Sequence, residues 1–262
     1  MFVTAILAAL LGAMMGSFIN MAVWRTREGK AWTGRSKCVH CGMVIAARDL
    51  IPIVSFFLLG RRCRSCRKPI SWQYPIVEAV TALLFVLALL RYTSGFAFPE
   101  FFSPLEWLVF AIRDSILISF LVALSAYDVR YMELPDRFTL PGAVAALLFN
   151  LFLGADWRLL VLGGLTIAGF FLAQAVFSKG RWVGDGDVRL GLLMGFALGL
   201  YEGLAALLIA YVAGAIVGIV LVVRKKVKMD TMIPFGVFLS AATVAMLLAG
   251  PLVIDWYIGL AT

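Results

Sequence analysis

Long apolar stretches, separated by shorter polar segments, follow one another along almost the whole chain. Eight stretches recur, at approximately residues 2–24, 72–92, 104–127, 138–153, 158–178, 188–201, 203–223 and 233–250. Most approach the roughly 20 residues that a helix needs to cross the hydrocarbon core of a bilayer. No ten-residue alternating pattern indicates a barrel, and a backbone in lipid must satisfy its own hydrogen bonds. The pattern predicts an all-α polytopic membrane protein with about eight transmembrane helices.

The least certain boundary lies at residues 200–203, so counts of seven or nine spans stay open. Of the 262 residues, 63% are hydrophobic and 15% are charged, which excludes a soluble globular domain. The first stretch lacks a basic leader region and an Ala-x-Ala cleavage site, so we expect it to be retained. The chain divides into a first transmembrane helix at 1–24, a polar loop domain at 25–71 and a helical bundle at 72–262.

Lysine and arginine are concentrated in alternate connections between the apolar stretches. Eleven lie in 25–71, two follow Asp128, three lie in 179–189 and four in 224–228, whereas Arg91 and Arg158 alone mark the other side. Cytoplasmic loops carry this excess, which predicts cytoplasmic basic loops and extracytoplasmic termini. Contacts with membrane lipid of the anionic inner leaflet explain the net charge of +8. Nucleic acid is excluded as a partner because no aromatic-interleaved basic motif is present.

All four cysteines lie in the 25–71 loop, as two Cys-x-x-Cys pairs separated by twenty-one residues: Cys38, Cys41, Cys63 and Cys66. Four thiolates suit tetrahedral Zn²⁺, and a closed four-sulfur shell indicates a structural role. Two disulfides are the alternative, but the cytosol keeps thiols reduced. His40, the only histidine, is an alternative ligand within the first pair.

Two aspartates are placed where apolar stretches meet the cytoplasmic boundary. Asp128 ends the third stretch, and Asp187 precedes the sixth in Gly-Asp-Gly-Asp. Adjacent carboxyl groups share one proton, so one can activate a water while the other stabilises the oxyanion, as in an aspartic peptidase. Gly184 and Gly186 would permit unusual dihedrals and close approach of a substrate backbone. The simpler alternative is that both aspartates cap helices or face water.

Other charged residues favour structural roles. Asp136 follows a proline before an apolar stretch and is predicted to be an N-cap. Asp185 is interpreted as a surface loop residue. We expect Val188 to begin the helix after Asp187. Arg113 and Asp114 interrupt the third stretch, and each is expected to have a different partner because adjacent residues do not face each other.

Several segments resemble the type IV prepilin peptidases, which are also N-methyltransferases. They are the Gly-Ser-Phe-Ile-Asn at 16–20 with Arg25, the paired cysteines, the segment 74–78, Leu-Pro-Asp at 134–136 after Asp128, and the Gly-x-Gly-Asp at 184–187. The resemblance covers nearly the whole chain. It implies a bacterial inner-membrane protease with Asp128 and Asp187 as the catalytic dyad.

The resemblance also implies substrates and a second reaction. The substrates would be type IV pilus or type II secretion precursors, prepilins or pseudopilins with a short basic leader, and S-adenosylmethionine would methylate the new N-terminus. Asn20, Arg25 and Glu78 are candidates for the methyltransferase site, or they position the loop. Gln73 and Val237 depart from the family's arginine and proline, and neither is expected to touch the dyad.

A transporter or channel with a zinc-stabilised loop is the alternative function. Transporters place working charges near the bilayer midplane, often on repeated halves with broken helices. Only Arg113 and Asp114 lie that deep in this sequence, and no convincing internal repeat is found.

Overall fold

The computed structural model describes residues 2–93, 104–224, 231 and 233–261. These residues form eight α-helices and one 3-10 turn, Ala47–Asp49. The helices are α1 (Phe2–Arg27), α2 (Val54–Leu58), α3 (Gln73–Thr93), α4 (Pro104–Tyr131), α5 (Asp136–Phe152), α6 (Trp157–Ser178), α7 (Asp185–Val223) and α8 (Phe235–Ala261). The described part contains no β-strand, only two isolated bridges. The all-α prediction is confirmed.

The chain forms two compact units, and the first contains α1, α2 and α3. Helices α1 and α3 pack closely because glycines on α1 leave room for the α3 backbone. A Cβ at Gly12 would lie 2.7 Å from the Cα of Ala82, and one at Gly16 would lie 2.6 Å from the Cα of Glu78. From Gly12 to Gly16 the contacted residue of α3 moves back from Ala82 to Glu78, so α1 and α3 run antiparallel.

The second unit contains α4 to α8. Its core is formed by large apolar side chains of α4, α6 and α7, which are almost fully buried: Leu117, Leu121, Leu124, Ile167, Phe171, Leu190, Leu193 and Met194. The outer faces of these helices are also apolar, although they are not buried within the protein. Apolar outer faces are typical of helices that are surrounded by lipid.

Helix α7 is broken at Gly199, where φ is 75° and ψ is −167°. A Cβ at Gly203 would lie 3.7 Å from the Cα of Gly195, whereas a continuous helix would separate these residues by about 12 Å. The chain therefore reverses at Gly199. We name residues 185–198 α7a and residues 200–223 α7b.

Glycines allow this reversal to pack tightly against α6. A Cβ at Gly195 would lie 2.1 Å from the backbone nitrogen of Gly164, and a Cβ at Gly163 would lie 2.5 Å from the carbonyl carbon of Gly199. Neither position tolerates a side chain without backbone movement. The small residues set the distance between α6 and the break, as is common where helices pack in membranes.

A buried polar network satisfies the carbonyl groups beside the break. The Asn150 amide donates to the carbonyl oxygens of Phe196 and Ala197 at 2.7 and 3.0 Å. Its own oxygen accepts from Arg113 at 2.9 Å, and Arg113 also pairs with Asp114 at 2.6 Å. The expectation that Arg113 and Asp114 have different partners was wrong in part, because the long Arg113 side chain reaches its neighbour as well as Asn150.

Six helices in the described part of the chain are long and apolar enough to cross a membrane: α1, α3, α4, α6, α7 and α8. The predicted total of eight transmembrane helices is thus not confirmed, although each predicted apolar stretch coincides with a helical segment. α5 has 17 residues, and the sixth and seventh stretches correspond to α7a and α7b. Most of the basic run at 224–228 lies outside the described residues.

Candidate active site

Asp128 lies in the last turn of α4, three residues before the helix ends at Tyr131, and it is almost fully buried. One carboxylate oxygen accepts the backbone N–H of Val237 at 3.2 Å, and the N–H of Gly236 also points to it. Both donors belong to the first turn of α8, where backbone N–H groups have no partner within the helix. Helix α8 thereby holds the Asp128 carboxylate through its backbone.

Asp187 lies in the first turn of α7a and is only partly buried. Its carboxylate accepts the backbone N–H of Gly184 at 3.2 Å, which is the N3-to-N-cap contact of a capping box. The helix begins at Asp185, three residues before the predicted Val188, because Gly184 is the N-cap. This contact fixes the Asp187 side chain against its own backbone.

Asp128 and Asp187 are near enough for their charges to interact, and the segments that carry them converge on Leu134. Leu134 fills the space between the segments that carry them. A Cβ at Gly186 would lie 2.7 Å from the Cβ of Leu134, and one at Gly236 would lie 2.9 Å from both the Leu134 side chain and the Asp128 carboxylate. Glycine at 186 and 236 is thus required by close approach.

The predicted reason for the glycines is corrected in one respect. Neither Gly184 nor Gly186 has a positive φ, so unusual dihedrals do not explain them. A Cβ at Gly184 would meet only the Asp187 carboxylate, at 3.9 Å, which leaves this face open to an approaching chain. Gly186 instead packs against Leu134.

The neighbouring aspartates differ from the pair in their surroundings. Asp136 forms an ion pair with Arg189 at 2.5 Å, which links the start of α5 to α7a. The predicted N-cap role of Asp136 was wrong, because Pro135 occupies that position and Asp136 is the first helical residue. Asp185 is exposed at the start of α7a, as expected of a surface residue.

Two side chains near the aspartate pair, Tyr211 and Gln174, were not predicted from the sequence. The hydroxyl of Tyr211 on α7b lies 3.0 Å from the amide nitrogen of Gln174 on α6, and its electrostatic environment includes Asp187. Tyr211 also contacts Phe235 at the start of α8, with 4.9 Å between ring centroids. Tyr211 is twenty-four residues from Asp187, so only a reversal within α7 brings them together, and the sequence carried no separate signal for it.

The four cysteines of the first unit form one cluster, with their sulfur atoms all within 4.8 Å of one another. The sulfur atoms of Cys38 and Cys66 lie 3.9 Å apart, and all four are free thiols. A tetrahedral Zn²⁺ with bonds of ~2.3 Å separates its sulfur ligands by about 3.8 Å, so this donor set fits the ion. His40 is exposed and lies outside the cluster; its backbone N–H donates to Cys38 at 3.5 Å.

The two cysteine pairs have equivalent backbones. In each, the first cysteine's carbonyl accepts an N–H four residues later, from Gly42 and Arg67 respectively. Both of these residues have positive φ, 72° and 59°. Backbone N–H groups of Cys66 and Ser65 lower the pKa of the Cys63 thiol to about 7. The Met43 N–H lowers the pKa of the Cys41 thiol, but burial and the Cys38 and Cys66 thiols outweigh it and raise that pKa to about 11.

An ion pair ties the second cysteine pair to the preceding turn. Arg64 donates to both carboxylate oxygens of Asp49, at 2.7 and 2.8 Å. These hydrogen bonds lower the pKa of Asp49 below its usual value. The pair fixes the 3-10 turn Ala47–Asp49 against the cluster.

The three methyltransferase candidates lie in the first unit, and two of them contact the loop. Asn20 donates to the carbonyl oxygen of Tyr74 at 3.1 Å, and Arg25 donates to four carbonyl groups of residues 31–35. Glu78 accepts the N–H of Ile53, which precedes α2, at 2.6 Å. All three are buried, and the Asn20 side-chain oxygen has no hydrogen-bond partner among the described residues. The loop-positioning alternative therefore has direct contacts for Arg25 and Glu78.

Two segments of the chain match known protein families. Residues 10–92 match the bacterial peptidase A24 N-terminal domain, and residues 115–219 match the type IV leader peptidase family. The chain is 33% identical to a prepilin leader peptidase/N-methyltransferase of Burkholderia pseudomallei (strain K96243), over 93% of this chain and 84% of that protein. The chain belongs to the type IV leader peptidase family. Its resemblance to that family, noted from motifs, is confirmed.

Two further relatives have the same name and similar coverage. The protein of Aeromonas hydrophila is 31% identical over 96% of this chain and 93% of its own length. That of Bacillus subtilis (strain 168) is 31% identical over 96% of this chain and 97% of its own length. No solved structure matches the chain. The two family matches correspond to the two compact units, and the α8 donors to Asp128 lie beyond the second match.

The expectation that Val237 does not touch the dyad was wrong, because its N–H donates to Asp128. Proline, the family's residue at this position, has no N–H, so a Val237→Pro protein would hold the Asp128 carboxylate through the Gly236 N–H alone. We predict that its kcat for leader cleavage falls by no more than about threefold, because a typical hydrogen bond contributes only about 0.5 to 1 kcal/mol. Steady-state cleavage of a prepilin in detergent measures the effect.

Val237→Ala is the matched control, because it keeps the N–H and removes most of the side chain. Its kcat should remain within twofold of the unchanged protein. A loss of about tenfold or more in the proline variant, with full activity in the alanine variant, would contradict this prediction and show that Asp128 depends on the Val237 donor.

Proposed function

We propose that this chain is a membrane aspartic endopeptidase that removes the basic leader of type IV prepilins or pseudopilins, and that it N-methylates the new N-terminus. Membership of the type IV leader peptidase family supports the activity. The observation that carries the mechanism is that two acidic residues from separate helices converge on Leu134. Gly236 lies against both Asp128 and Leu134, and Gly186, next to Asp187, packs against the same leucine. Arg113 and Asp114, the deep charges that the transporter alternative would use, are bound within a network beside the break in α7.

The dyad would act by sharing one proton. The ionised carboxylate takes a proton from a water molecule, whose oxygen attacks the scissile carbonyl carbon. The protonated carboxyl donates to the developing oxyanion and then supplies the proton that the leaving amine needs. Backbone donors at Val237 and Gly184 keep both carboxylates in position without adding a second titrating side chain.

The open side of Gly184 is the proposed approach for the substrate backbone. No Cβ is present to obstruct it, and the neighbouring Asp185 is exposed. Gly186 has a different role, because its packing on Leu134 sets the spacing between the two catalytic segments. The two glycines of this motif would thus serve the substrate and the scaffold respectively.

The proposed topology has eight crossings in the bacterial inner membrane, with α7a and α7b as separate passes. The reversal at Gly199 returns the chain to the side from which it entered, so the basic 179–189 and 224–228 segments share one side. By the distribution of Lys and Arg this side is cytoplasmic, and both termini are extracytoplasmic. Cleavage would then occur at the cytoplasmic face.

Asparagine substitutions test the dyad, because they keep the side-chain shape and remove the ionisable proton. We predict that Asp128→Asn and Asp187→Asn each reduce prepilin cleavage at least about a thousandfold while the protein still inserts and folds. Mass spectrometry of a co-expressed prepilin measures cleavage.

Asp136→Asn and Asp185→Asn are the matched controls and should retain substantial activity. Asp136 pairs with Arg189 at the surface and Asp185 is exposed, so neither shares the proton. An active Asp187→Asn protein beside an inactive Asp185→Asn protein would reverse the assignment. Activity in both Asp128→Asn and Asp187→Asn would end the aspartic mechanism.

Zn²⁺ is the proposed ligand of Cys38, Cys41, Cys63 and Cys66, with a structural role. Protein purified without chelators should contain about one Zn²⁺ per chain by elemental analysis. Cys38→Ser or Cys66→Ser should reduce the metal content and the folded yield, because metal binding is coupled to folding. His40→Ala is the control and should keep the metal. Absence of metal from the unchanged protein would contradict the site.

The methyltransferase site would include Asn20, Arg25 and Glu78, with S-adenosylmethionine as methyl donor. Glu78→Gln preserves an acceptor for the Ile53 N–H but removes the charge, so leader cleavage should continue while N-terminal methylation falls. Glu78→Ala removes the acceptor too and reports the loop-positioning contribution. Fully methylated product from Glu78→Gln, measured by mass spectrometry, would remove Glu78 from the proposed site.

A further inference from the structure

The loop between α1 and α3 exposes a group of apolar side chains that none of the preceding chemistry uses. They belong to α2, to the segment just before it and to the position just before α3, and we call them the α2 patch: Ile51, Val54, Phe57, Leu58 and Trp72. Leu58 is 78% exposed and Phe57 is 57% exposed. Clusters of exposed apolar residues on a connecting loop indicate a contact surface.

Aromatic packing joins the patch to the start of α3. The ring of Phe56 is buried and lies 5.0 Å from Trp72, and the Phe57 ring lies 6.3 Å from Trp72. Trp72 immediately precedes α3, which is long and apolar enough to cross the membrane. Tryptophan is enriched at the boundary between lipid and water, which fits Trp72 in this position.

A backbone contact places α2 beside the first turns of α3. The N–H of Ile53 donates to Glu78 at 2.6 Å, and Glu78 lies six residues after Trp72, about 9 Å along the helix axis. On the α1 side, Trp32 contacts Phe18 at a centroid distance of 6.4 Å, well before α1 ends at Arg27. The loop thus folds back along both helices.

Charge distinguishes among partners for this surface. Residues 25–71 contain eleven Lys and Arg but only two acidic residues, Glu28 and Asp49. Arg61, next to the patch, lies over the Trp72 ring at 5.8 Å. A second copy of this loop would repel it, and the basic leader of the proposed substrate would as well. Anionic lipid headgroups complement it, and each nearby Lys or Arg contributes about 1 kcal/mol to such binding.

We propose that the α2 patch inserts into the lipid–water interface and binds anionic phospholipid, anchoring the cysteine-containing loop to the bilayer surface. The apolar side chains of α2 enter the boundary of the acyl chains, and the surrounding arginines contact phosphate groups. The loop then has three attachments to the membrane: α1, α3 and α2 between them. This inference is independent of the peptidase chemistry.

Photo-crosslinking tests the proposal directly. A benzophenone-bearing phenylalanine analogue replaces Phe57 in one protein, Leu58 in a second and Met43 in a third, in vesicles of phosphatidylcholine with or without phosphatidylglycerol. Met43 is the matched control, because it is 57% exposed, like Phe57, but lies just after the first cysteine pair and outside the α2 patch. Mass spectrometry identifies the adducts.

We expect lipid adducts at positions 57 and 58 at least about fivefold above position 43, increasing when phosphatidylglycerol is present. Equal labelling at all three positions, or no lipid adduct at 57 and 58, would overturn the proposal. So would a predominant adduct with a second copy of the chain or with an added prepilin. Prepilin cleavage, measured in the same vesicles, reports the peptidase separately.

Discussion

The hydrogen bonds from Asn150 to the carbonyl oxygens of Phe196 and Ala197 are the interaction on which the second unit depends. The break at Gly199 removes the helical partners of these carbonyl groups, and an unsatisfied group in a membrane costs several kcal/mol. Asn150 supplies the replacement donors, and Arg113 in turn binds the Asn150 oxygen. The charged residues deep in α4 thus have a use that is structural: they support the amide that stabilises a reversal of the chain.

The reversal determines what faces the active site. Gly199 is twelve residues from both Asp187 and Tyr211, so folding α7 in half brings these two residues together from opposite arms. The same geometry requires close packing at the turn, which the glycines of α6 and α7 allow. At the other end of α7a, Leu134 fits between Gly186 and Gly236 and spaces the segments that carry the carboxylates. Glycine packing therefore controls both ends of the same short helix.

Much of this arrangement could be predicted from the sequence. The apolar stretches located the helical segments, including the division of α7, because Gly199 lies near the predicted boundary at 200–203. The spacing of the cysteines predicted their cluster, since two Cys-x-x-Cys pairs bring four sulfurs together by local backbone geometry. Asp128 and Asp187 stood out because acidic residues are scarce in apolar surroundings.

Contacts between residues that are far apart in the sequence could not be predicted from local patterns. The pairing of Tyr211 with Gln174 joins residues thirty-seven positions apart, and no local pattern marks either one. The Val237 donor was missed because backbone N–H groups do not vary with residue type, except at proline. The partner of Asp136 was missed for a related reason: a carboxylate after Pro135 fits an N-cap locally, whereas Arg189 attracts it from another helix.

Backbone donors have a consequence for the chemistry of the pair. Asp128 is held by N–H groups of α8 and Asp187 by that of Gly184, so no arginine or lysine side chain is hydrogen-bonded to either carboxylate in the described part of the chain. A cation at that distance would keep both groups ionised and would remove the proton on which the reaction depends. Neutral N–H donors fix the positions of the oxygens and leave the repulsion between the carboxylates intact. In the proposed mechanism that repulsion keeps one proton on the pair, so the basic residues of the surrounding loops have no part in it.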